Sequence, residues 1–279
     1  MSSPERPASG LHVHRRAGAD DGAPVVVFVH GAADRGAAFA RVGRHLPDVD
    51  LVRLDRRGYG RSPGPVPDGD GAAILAAQVA DVAEIVGEVV GGHVASVPVV
   101  VCGHSHGALI ALGVALADPR VAGVVAWEPP MPWASWWSSD SGTTAGAAAR
   151  RAAGAASGDP AGDAMESFLR RMLGDRRWET LPASVRAARR AEGPALLADL
   201  AAARAAATLN VAAVSVPVVL GMGGRTSARH RRAVAELASV LPTCEVVDVP
   251  GADHGAHFTH PAEVAGAVER CLAMVRSAT

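Results

Sequence analysis

The hydrophobic residues of the chain fall into short continuous runs that alternate with longer segments of helical periodicity. The runs are rich in valine and leucine, which is typical of strands buried on both faces of a parallel sheet. They lie at 25–29, 51–55, 99–102, 121–127, 216–220 and 244–249, with a further edge strand expected at 11–16. The helical segments lie at 37–46, 72–90, 106–117, 228–240 and 261–276. This alternation predicts an α/β protein with a doubly wound, mostly parallel sheet.

Residues 131–210 break the alternation, because they show helical periodicity and no convincing strand. Helices are predicted at 163–173, 182–190 and 194–207, the first with Asp163 as its N-cap. A Ser/Gly/Thr/Ala-rich segment of low complexity precedes them and is expected to be mobile. We therefore predict a helical cap over 129–210, inserted into a core formed by 1–128 and 211–279. Such a cap should cover the carboxyl ends of the strands, where these sheets bind ligands.

The composition excludes several classes of protein. The 279 residues carry a formal net charge of −1, and 49% of them are hydrophobic, so one large domain with a sizeable core is expected. All basic residues are arginines and are scattered, so no nucleic-acid partner is expected. Cys102, Cys244 and Cys271 lack the spacing of a disulfide framework or a zinc site. The chain has neither an apolar leader nor a run approaching the roughly 20 apolar residues of a membrane span, which predicts a cytoplasmic protein without membrane partners.

The most informative stretch is the apolar run that ends in Gly103-His104-Ser105-His106-Gly107. A strand, a sharp Gly-x-Ser-x-Gly turn and a helix together form a nucleophile elbow. In such a turn the serine hydroxyl stands clear of the sheet at the N-terminus of the helix, where the helix dipole favours developing negative charge. Ser105 is therefore the candidate nucleophile, and an incidental turn serine is the alternative.

A serine hydroxyl needs a base in contact with it to act as a nucleophile at neutral pH. Among the 11 histidines, His254 is the best candidate, because it lies in a glycine-rich loop directly after the last predicted strand. A metal site formed by His104, His106, His254 and His257 is the alternative. No carboxylate or cysteine completes a ligand spacing there, so neither a metal nor another cofactor is expected.

These motifs resemble, in order and over nearly the whole chain, the markers of the α/β-hydrolase superfamily. The matching segments are His30-Gly31, Asp55-x-Arg57-Gly58-x-Gly60-x-Ser62, Gly103-x-Ser105-x-Gly107 and Pro250-Gly251-x-x-His254. The resemblance implies an α/β-hydrolase fold in which nucleophile, acid and base follow one another along the chain. In many members the acid is an Asp after the strand that follows the cap. Here that loop, 221–227, holds no carboxylate.

Glu128 is the candidate acid, because it ends the strand after the elbow helix and so lies at the same edge of the sheet. The resemblance supports this position, which the superfamily counts as the end of strand 6. One group of haloalkane dehalogenases and the zearalenone-type lactone hydrolases use a Glu there. The alternative is a structural carboxylate that binds the first backbone amides of the cap. Asp253 is a weaker candidate because neighbouring side chains point apart, and Asp34 and Asp55 are expected to brace loops.

Acyl transfer through a serine also requires two donors for the oxyanion. The backbone N–H of His106, directly after the nucleophile, is expected to be one of them. The N–H of Ala32 is expected to be the other, since the adjacent Gly31 permits close approach of the backbone. The resemblance assigns the same two positions. Because both donors are main-chain groups, replacing either residue by another small one should leave the oxyanion hole largely intact.

A serine nucleophile excludes the dehalogenase and epoxide-hydrolase branches of the superfamily, which need a carboxylate nucleophile. The expected activity is hydrolysis of a carboxylic ester or lactone through an acyl-enzyme. The same triad would serve a thioesterase or a C–C bond hydrolase. A non-catalytic ligand receptor built on this fold is a further alternative.

Apolar side chains of the predicted cap are expected either to line a substrate pocket or to pack the cap on the core. These residues are Met131, Trp133, Trp136, Trp137, Met165 and Phe168. No arginine cluster is aimed at an anion, so a neutral, apolar small molecule is the expected substrate. The preference for a lactone rests on the resemblance alone. The sequence pattern is compatible with a monomer or a dimer.

Overall fold

The computed structural model describes residues 10–20, 22–62, 64, 66–92, 97–137 and 158–278. Within them one sheet has the strand order β1-β3-β2-β4-β5-β6-β7. Its strands are β1 (His12–Arg16), β2 (Val25–Val29), β3 (Asp50–Asp55), β4 (Val99–His104), β5 (Val121–Trp127), β6 (Val218–Gly223) and β7 (Cys244–Val249). β1 pairs antiparallel with β3, and the other five pairings are parallel. The predicted mostly parallel sheet is confirmed, with one antiparallel strand at its edge.

Helices cover both faces of this sheet. They are α1 (Gly71–Gly91), α2 (His106–Ala117), α3 (Pro160–Leu173), α4 (Asp175–Glu179), α5 (Ala183–Arg190), α6 (Gly193–Ala205), α7 (Ala228–Val240), α8 (Ala256–Thr259) and α9 (Pro261–Ala278). Val25, Val27 and Val29 of β2 belong to the hydrophobic cluster that contains α1 and α2, whereas Val26 and Phe28 belong to the cluster that contains α9. Successive side chains of a strand point to opposite faces, so a strand covered on both faces is a continuous apolar run.

The prediction of one helix over 37–46, between β2 and β3, is wrong. This segment forms two short 3₁₀ helices instead, Gly36–Ala40 and Val42–His45. A Cβ at Gly36 would lie 2.6 Å from Leu54 O, and one at Gly43 would lie 2.4 Å from another side chain of β3. The backbone therefore packs directly against β3 at both glycines. Two short turns fit this close approach, and a continuous helix does not form.

Helices α3 to α6 lie between β5 and β6, where the sequence predicts the cap. Helix α6 packs along α1, and its Ala198 lies in the same hydrophobic cluster as the sheet. Met165 of α3 and Leu196 of α6 pack on Ala33 and Tyr59, in the loops that follow β2 and β3. The insertion is thus anchored on the carboxyl edge of the sheet. The division of the chain into core and cap at residues 129 and 210 stays a prediction.

Helix α3 begins three residues before the predicted position. Its N-cap is Asp159, whose carboxylate accepts a hydrogen bond from Gly162 N at 3.0 Å. Pro160 opens the first turn, where its missing N–H leaves no bond unmade. The predicted N-cap, Asp163, instead lies 2.6 Å from the guanidinium of Arg190. Most of the low-complexity segment expected to be mobile lies outside the described residues.

In the part of the chain that the structure describes, no helix is both long enough and apolar enough to cross a membrane. The three cysteines, Cys102, Cys244 and Cys271, are free thiols. Burial raises the pKa of Cys271 to about 12 and also raises that of Cys102. Neither thiol is therefore reactive at neutral pH.

Candidate active site

Among the described residues other than glycine, three have a positive φ, and they follow β2, β4 and β5. They are Ala33 (φ 55°), Ser105 (φ 53°) and Glu128 (φ 44°). Such conformations cost about 1–3 kcal/mol each and persist only where the surrounding structure holds them. Because the three strands are neighbours in the sheet, this strain is concentrated at one edge. The carboxyl ends of β2, β4 and β5 are therefore the candidate active site.

The turn after β4 has the form that the sequence predicts for a nucleophile elbow. Ser105 N donates a hydrogen bond to Trp127 O at 2.8 Å, and α2 begins at the next residue. A Cβ at Gly103 would lie 2.1 Å from Gly107 O, and a Cβ at Gly107 would lie 2.2 Å from Val29 O. Only glycine fits at these two positions. They allow a turn tight enough to leave Ser105 partly exposed at the edge of the sheet.

The carboxylate that lies against His254 is that of Glu128. Glu128 Oε2 is 2.6 Å from His254 Nδ1. The Glu128 side chain is fully buried, whereas 25% of the His254 side chain is exposed. Burial raises the pKa of the Glu128 carboxyl, but the neighbouring imidazole of His254 and the hydrogen bonds from His254, Gly223 and Thr226 together outweigh it, so the net pKa is lowered. Glu128 is therefore ionised at neutral pH, as an acid that orients an imidazole and stabilises its cation must be.

The loop after β6, which lacks a carboxylate, supplies donors to Glu128 instead. Gly223 N donates to Glu128 Oε1 and Thr226 Oγ1 donates to Glu128 Oε2, each at 2.8 Å. The carboxylate thus faces β6 and His254, and does not serve the alternative role of capping the backbone amides of the insertion. Asp253, the weaker candidate, accepts a backbone hydrogen bond within its own turn at 2.9 Å.

Among the described residues, no hydrogen bond joins Ser105 to His254, and the Ser105 hydroxyl has no hydrogen-bond partner. His254 is held next to the elbow by His104, whose Nε2 donates to His254 O at 2.8 Å. The two rings lie with their centroids 4.6 Å apart. Catalytic hydrogen bonds are often long before substrate binds and shorten in the substrate complex. The base role of His254 therefore stays a prediction.

Two backbone amides near Ser105 are available for an oxyanion. Gly31 lies so close that a Cβ there would be 3.2 Å from Ser105 Cβ, which brings Ala32 beside the nucleophile. Within the described part of the chain, Ala32 N and His106 N donate to no protein group. The ring of His106 points away from the edge, with Nε2 donating to Gln78 Oε1 at 2.8 Å. Replacing His106 by a small residue would therefore also remove a buried hydrogen bond, which the sequence did not indicate.

His230 is a residue of this site that the sequence analysis missed. Its ring stacks on that of His254, with centroids 4.6 Å apart and planes at 26°. Ser227 Oγ shares a hydrogen bond with His230 Nδ1 at 2.8 Å. Burial lowers the pKa of His230 to about 3, so the ring is neutral at neutral pH. Arginines flank His230 in the sequence of α7, which is typical of a residue exposed to solvent, so no local pattern could have identified it.

Among the residues that the structure describes, two groups of side chains have metal-ligand atoms within 4.8 Å of one another. They are Asp34, His104 and His257, and Glu128, His230 and His254. In each group the carboxylate already contacts a histidine, at 3.2 Å for Asp34 and at 2.6 Å for Glu128. The metal site considered from the sequence is not formed as proposed, because the ring of His106 points to Gln78. We assign no metal to either group.

Trp137, in the predicted cap, contacts a histidine of the candidate active site. Its ring stands edge-on to that of His230, with centroids 5.0 Å apart. The guanidinium of Arg229 lies 5.2 Å from the Trp137 ring, and that of Arg232 lies 4.5 Å from the ring of Trp136. Both tryptophans therefore lie along α7, with their neighbouring arginines stacked on them. This arrangement makes an amphipathic surface beside His254.

The other apolar residues of the predicted pocket all make packing contacts with the core or with the loops at the carboxyl ends of the strands. Met131 and Trp133 pack against the hydrophobic cluster that contains α1 and α2. Met165 is fully buried among the side chains that join the insertion to the loops after β2 and β3, and Phe168 packs against the same group. The substrate contacts expected of Met131, Trp133, Trp136 and Trp137 stay predictions.

The chain is similar to known hydrolases along most of its length. A family model described as the alpha/beta hydrolase family matches residues 26–267. Lipase LipV of Mycobacterium tuberculosis is 33% identical over 120 residues, which are 43% of this chain and 41% of the lipase. A hydrolase from Pseudomonas aeruginosa superposes with a TM-score of 0.70 at 19% identity over 97% of both chains. An alpha/beta hydrolase from Sphaerobacter thermophilus gives a TM-score of 0.65 at 22% identity, over 93% of this chain and 98% of that one. These structural likenesses confirm the expected fold, and the match to the lipase spans less than half of either chain.

Proposed function

This chain belongs to the alpha/beta hydrolase family, and from that premise we propose that it is a serine hydrolase that cleaves a carboxylic ester or lactone through an acyl-enzyme. The observation that carries the proposal is the 2.6 Å contact between Glu128 and His254, beside the elbow that presents Ser105. Nucleophile, acid and base then follow one another along the chain, as they do in this fold.

In the first half of the proposed reaction, His254 takes the proton of Ser105 as the serine oxygen attacks the acyl carbon. The negative charge that develops on the acyl oxygen is stabilised by the N–H groups of Ala32 and His106. The buried carboxylate of Glu128 stabilises the imidazolium that forms. The C–O bond to the leaving group then breaks, and His254 passes its proton to the departing alcohol oxygen.

In the second half, a water molecule attacks the acyl-enzyme. His254 takes a proton from this water, a second tetrahedral intermediate forms with its oxyanion on the same two amides, and the bond to Ser105 breaks. The proton returns to the serine oxygen and the free acid leaves. With a lactone, acid and alcohol leave as one hydroxy acid.

The chemistry around the site favours a neutral, apolar substrate. Trp137 lies beside His230, and the arginines nearest to it and to Trp136 are stacked on the indole rings. Aromatic rings near a nucleophile favour binding of an apolar acyl or aryl group. The name of the lipase relative agrees with ester hydrolysis, while the lactone alternative is supported only by the resemblance to zearalenone-type hydrolases.

A turnover panel tests the proposal. Purified protein is assayed with p-nitrophenyl esters of increasing acyl length, aryl and macrocyclic lactones, and a matched acyl thioester. We expect hydrolysis of at least one ester or lactone, with Ser105→Ala lowering kcat by about 10⁶-fold. The matched control is Ser239→Ala, at an exposed serine of α7, which should leave kcat unchanged. Faster turnover of thioesters than of esters would favour the thioesterase alternative, and wild-type turnover by Ser105→Ala would overturn the proposal.

A further inference from the structure

A fully buried ion pair joins the insertion to the loops at the catalytic edge. Asp199 of α6 and Arg56, in the loop after β3, bind each other through two hydrogen bonds, Arg56 Nη1 to Oδ1 at 2.8 Å and Nη2 to Oδ2 at 2.7 Å. The side chains of Arg56 and Asp199 are 4% and 1% exposed, respectively. Burying two charges is costly unless further hydrogen bonds satisfy their remaining polar atoms. The residues that provide those bonds show what the pair holds in place.

The carboxylate of Asp199 is saturated by neutral donors. Tyr59 Oη donates to Oδ2 and Gln78 Nε2 donates to Oδ1, each at 2.7 Å. Gln78 in turn accepts the hydrogen bond from His106 Nε2 at 2.8 Å. His106, the first residue of α2, whose N–H is one candidate oxyanion donor, is thus tied to Asp199 through Gln78, and its Nε2 also lies 3.4 Å from Asp199 Oδ1.

The guanidinium of Arg56 turns its remaining N–H groups to the loop that carries the other candidate donor. Nε donates to His30 O at 2.9 Å and Nη2 donates to Gly31 O at 3.0 Å. Arg56 N also donates to His30 Nε2 at 2.9 Å, so the neutral ring carries its proton on Nδ1. That Nδ1 donates to Gly31 O at 2.8 Å. The Gly31 carbonyl therefore accepts two hydrogen bonds, and its direction is fixed.

The direction of the Gly31 carbonyl determines the direction of the Ala32 amide. The two groups belong to one peptide unit, which is planar and trans, so the C=O and the N–H point in opposite directions. With its oxygen held by Arg56 and His30, this peptide directs the Ala32 N–H away from Arg56. A guanidinium bound to the carbonyl also polarises the peptide and makes the N–H a stronger donor.

We propose that Arg56 and Asp199 form a positioning pair that sets the oxyanion hole, Arg56 through the Gly31–Ala32 peptide and Asp199 through Arg56 and through Gln78 to His106. The inference rests on the proposed function, because an oxyanion hole matters only if Ser105 performs acyl transfer. It assigns the insertion a second role beside substrate binding. Helix α6 supplies the carboxylate without which the oxyanion donors of the core lose their fixed direction.

The test compares isosteric changes in two ion pairs, whose arginines, Arg56 and Arg57, are adjacent in the loop after β3. Asp199→Asn removes the charge that holds Arg56. Asp81→Asn does the same to Arg57, whose Nε donates to Asp81 Oδ2 at 3.0 Å without contacting the 30–32 loop. Both variants are assayed for kcat and KM on the best ester, and for inhibition by an aryl boronic acid, whose tetrahedral serine adduct places an oxygen in the oxyanion hole.

For Asp199→Asn we expect kcat to fall about 10- to 100-fold, since the loss of a whole oxyanion donor costs about 10²- to 10³-fold. KM should stay within about threefold, and the inhibition constant of the boronic acid should rise in proportion to the fall in kcat. Asp81→Asn should change none of these values. A kcat within threefold of the wild type, an effect confined to KM, or an equal fall in Asp81→Asn would overturn the proposal.

A second variant covers the case in which an unpaired Arg56 prevents folding. The double variant Arg56→Met, Asp199→Asn removes both charges, which often preserves stability. It should show the same split between kcat and KM, and wild-type kcat in it would overturn the proposal. Ser105→Ala is assayed alongside. If Ser105→Ala is inactive while the Asp199 variants keep full kcat, only the positioning role fails, whereas an active Ser105→Ala contradicts the proposed function itself.

Discussion

Glu128 Oε2 and His254 Nδ1 lie 2.6 Å apart, although the two residues are 126 positions apart in the chain. Glu128 follows the last residue of β5, and its carboxylate accepts hydrogen bonds from Gly223 and Thr226, at the end of β6 and in the loop after it. The neighbouring strand end thus keeps a part in the site, but as a hydrogen-bond donor. The carboxylate that contacts the imidazole and the groups that donate to it thus come from two adjacent strand ends.

Removing the negative charge of Glu128 should disable the base. We expect Glu128→Gln to lower kcat by about 10⁴-fold, as in other triads that lose their acid. The amide can still contact Nδ1 but no longer stabilises the imidazolium or selects its tautomer. The assay is steady-state hydrolysis of the best ester at pH 7 to 8.

The matched control for this change is Asp253→Asn, directly before His254. Its carboxylate accepts a bond within its own turn, so kcat should stay within a few fold of the wild type. If Asp253→Asn were as damaging as Glu128→Gln, the acid would have been assigned to the wrong residue.

A methyl group at Gly31 should impair catalysis more than stability. The added Cβ would lie 3.0 Å from His104 Nδ1 and 3.2 Å from Ser105 Cβ, so the loop must move away from the nucleophile. A misplacement of this kind costs up to about 10²-fold in rate, and we expect kcat of Gly31→Ala to fall by about 10- to 100-fold. Gly266→Ala in α9 is the control, because no atom lies within 4 Å of its Cβ. It should stabilise the protein by about 0.5–1 kcal/mol with unchanged kcat. Full activity in Gly31→Ala would show that the loop is not in contact with the reacting atoms.

The free energy of unfolding should fall as the pH is lowered from about 6.5 to about 4. Burial lowers the pKa of His30 and His106 to about 4 and that of His230 to about 3, and it also lowers that of His104. In this pH window the histidines are protonated in the unfolded chain but stay neutral in the folded chain, so the free energy of unfolding decreases as the pH falls. Each histidine contributes about 1.4 kcal/mol per pH unit.

Urea unfolding at pH 7, 6 and 5 measures this dependence. In His230→Gln the slope of the unfolding free energy against pH should correspond to one proton fewer than in the wild type. An unchanged slope in that variant, or equal stability at pH 7 and pH 5, would contradict the buried neutral state of these rings.

Trp137 should influence substrate choice more than reaction chemistry. It lies beside His230 at the catalytic edge, whereas Trp136 lies farther along α7 under Arg232. Losing an aromatic contact with an apolar acyl chain is worth about 1.5–3 kcal/mol at most, so Trp137→Leu should raise KM for long or aryl esters by roughly tenfold or more. Hydrolysis of p-nitrophenyl acetate should change little. Trp136→Leu tests the second candidate contact in the same assay, and an unchanged KM for long and aryl esters in Trp137→Leu would argue against a contact between Trp137 and substrate.

The sheet and the residues at the ends of its strands could be predicted from local patterns. A buried strand is a continuous apolar run, and the polar residue that ends it stands at the ligand-binding edge. Glu128 was found in this way, since β5 ends in a carboxylate and the loop after β6 has none. The prediction of a helix between β2 and β3 was wrong, and the local sequence could not have shown why. The close contacts of Gly36 and Gly43 with β3 form only in the folded chain.

The parts that the sequence did not indicate depend on contacts between distant segments. Arg56 and Asp199 are separated by 143 positions, and Asp199 follows an alanine- and leucine-rich stretch where a lone carboxylate is expected to face solvent. His230 belongs to a polar helix and becomes a neighbour of His254 only when α7 packs beside the last loop. Periodicity assigns a residue to a face of its own helix, but it does not show which residue of another element lies opposite.

The rate at which a fluorophosphonate modifies the protein tests the central claim most directly. Intact-mass and peptide analysis follow the reaction in the wild type, Ser105→Ala, Glu128→Gln and Asp253→Asn. We expect a single adduct on Ser105 in the wild type and in Asp253→Asn, no adduct in Ser105→Ala, and labelling of Glu128→Gln slowed by at least about 10²-fold, because His254 then lacks its anionic partner. An adduct on another residue, or equal labelling rates in Glu128→Gln and the wild type, would contradict the account.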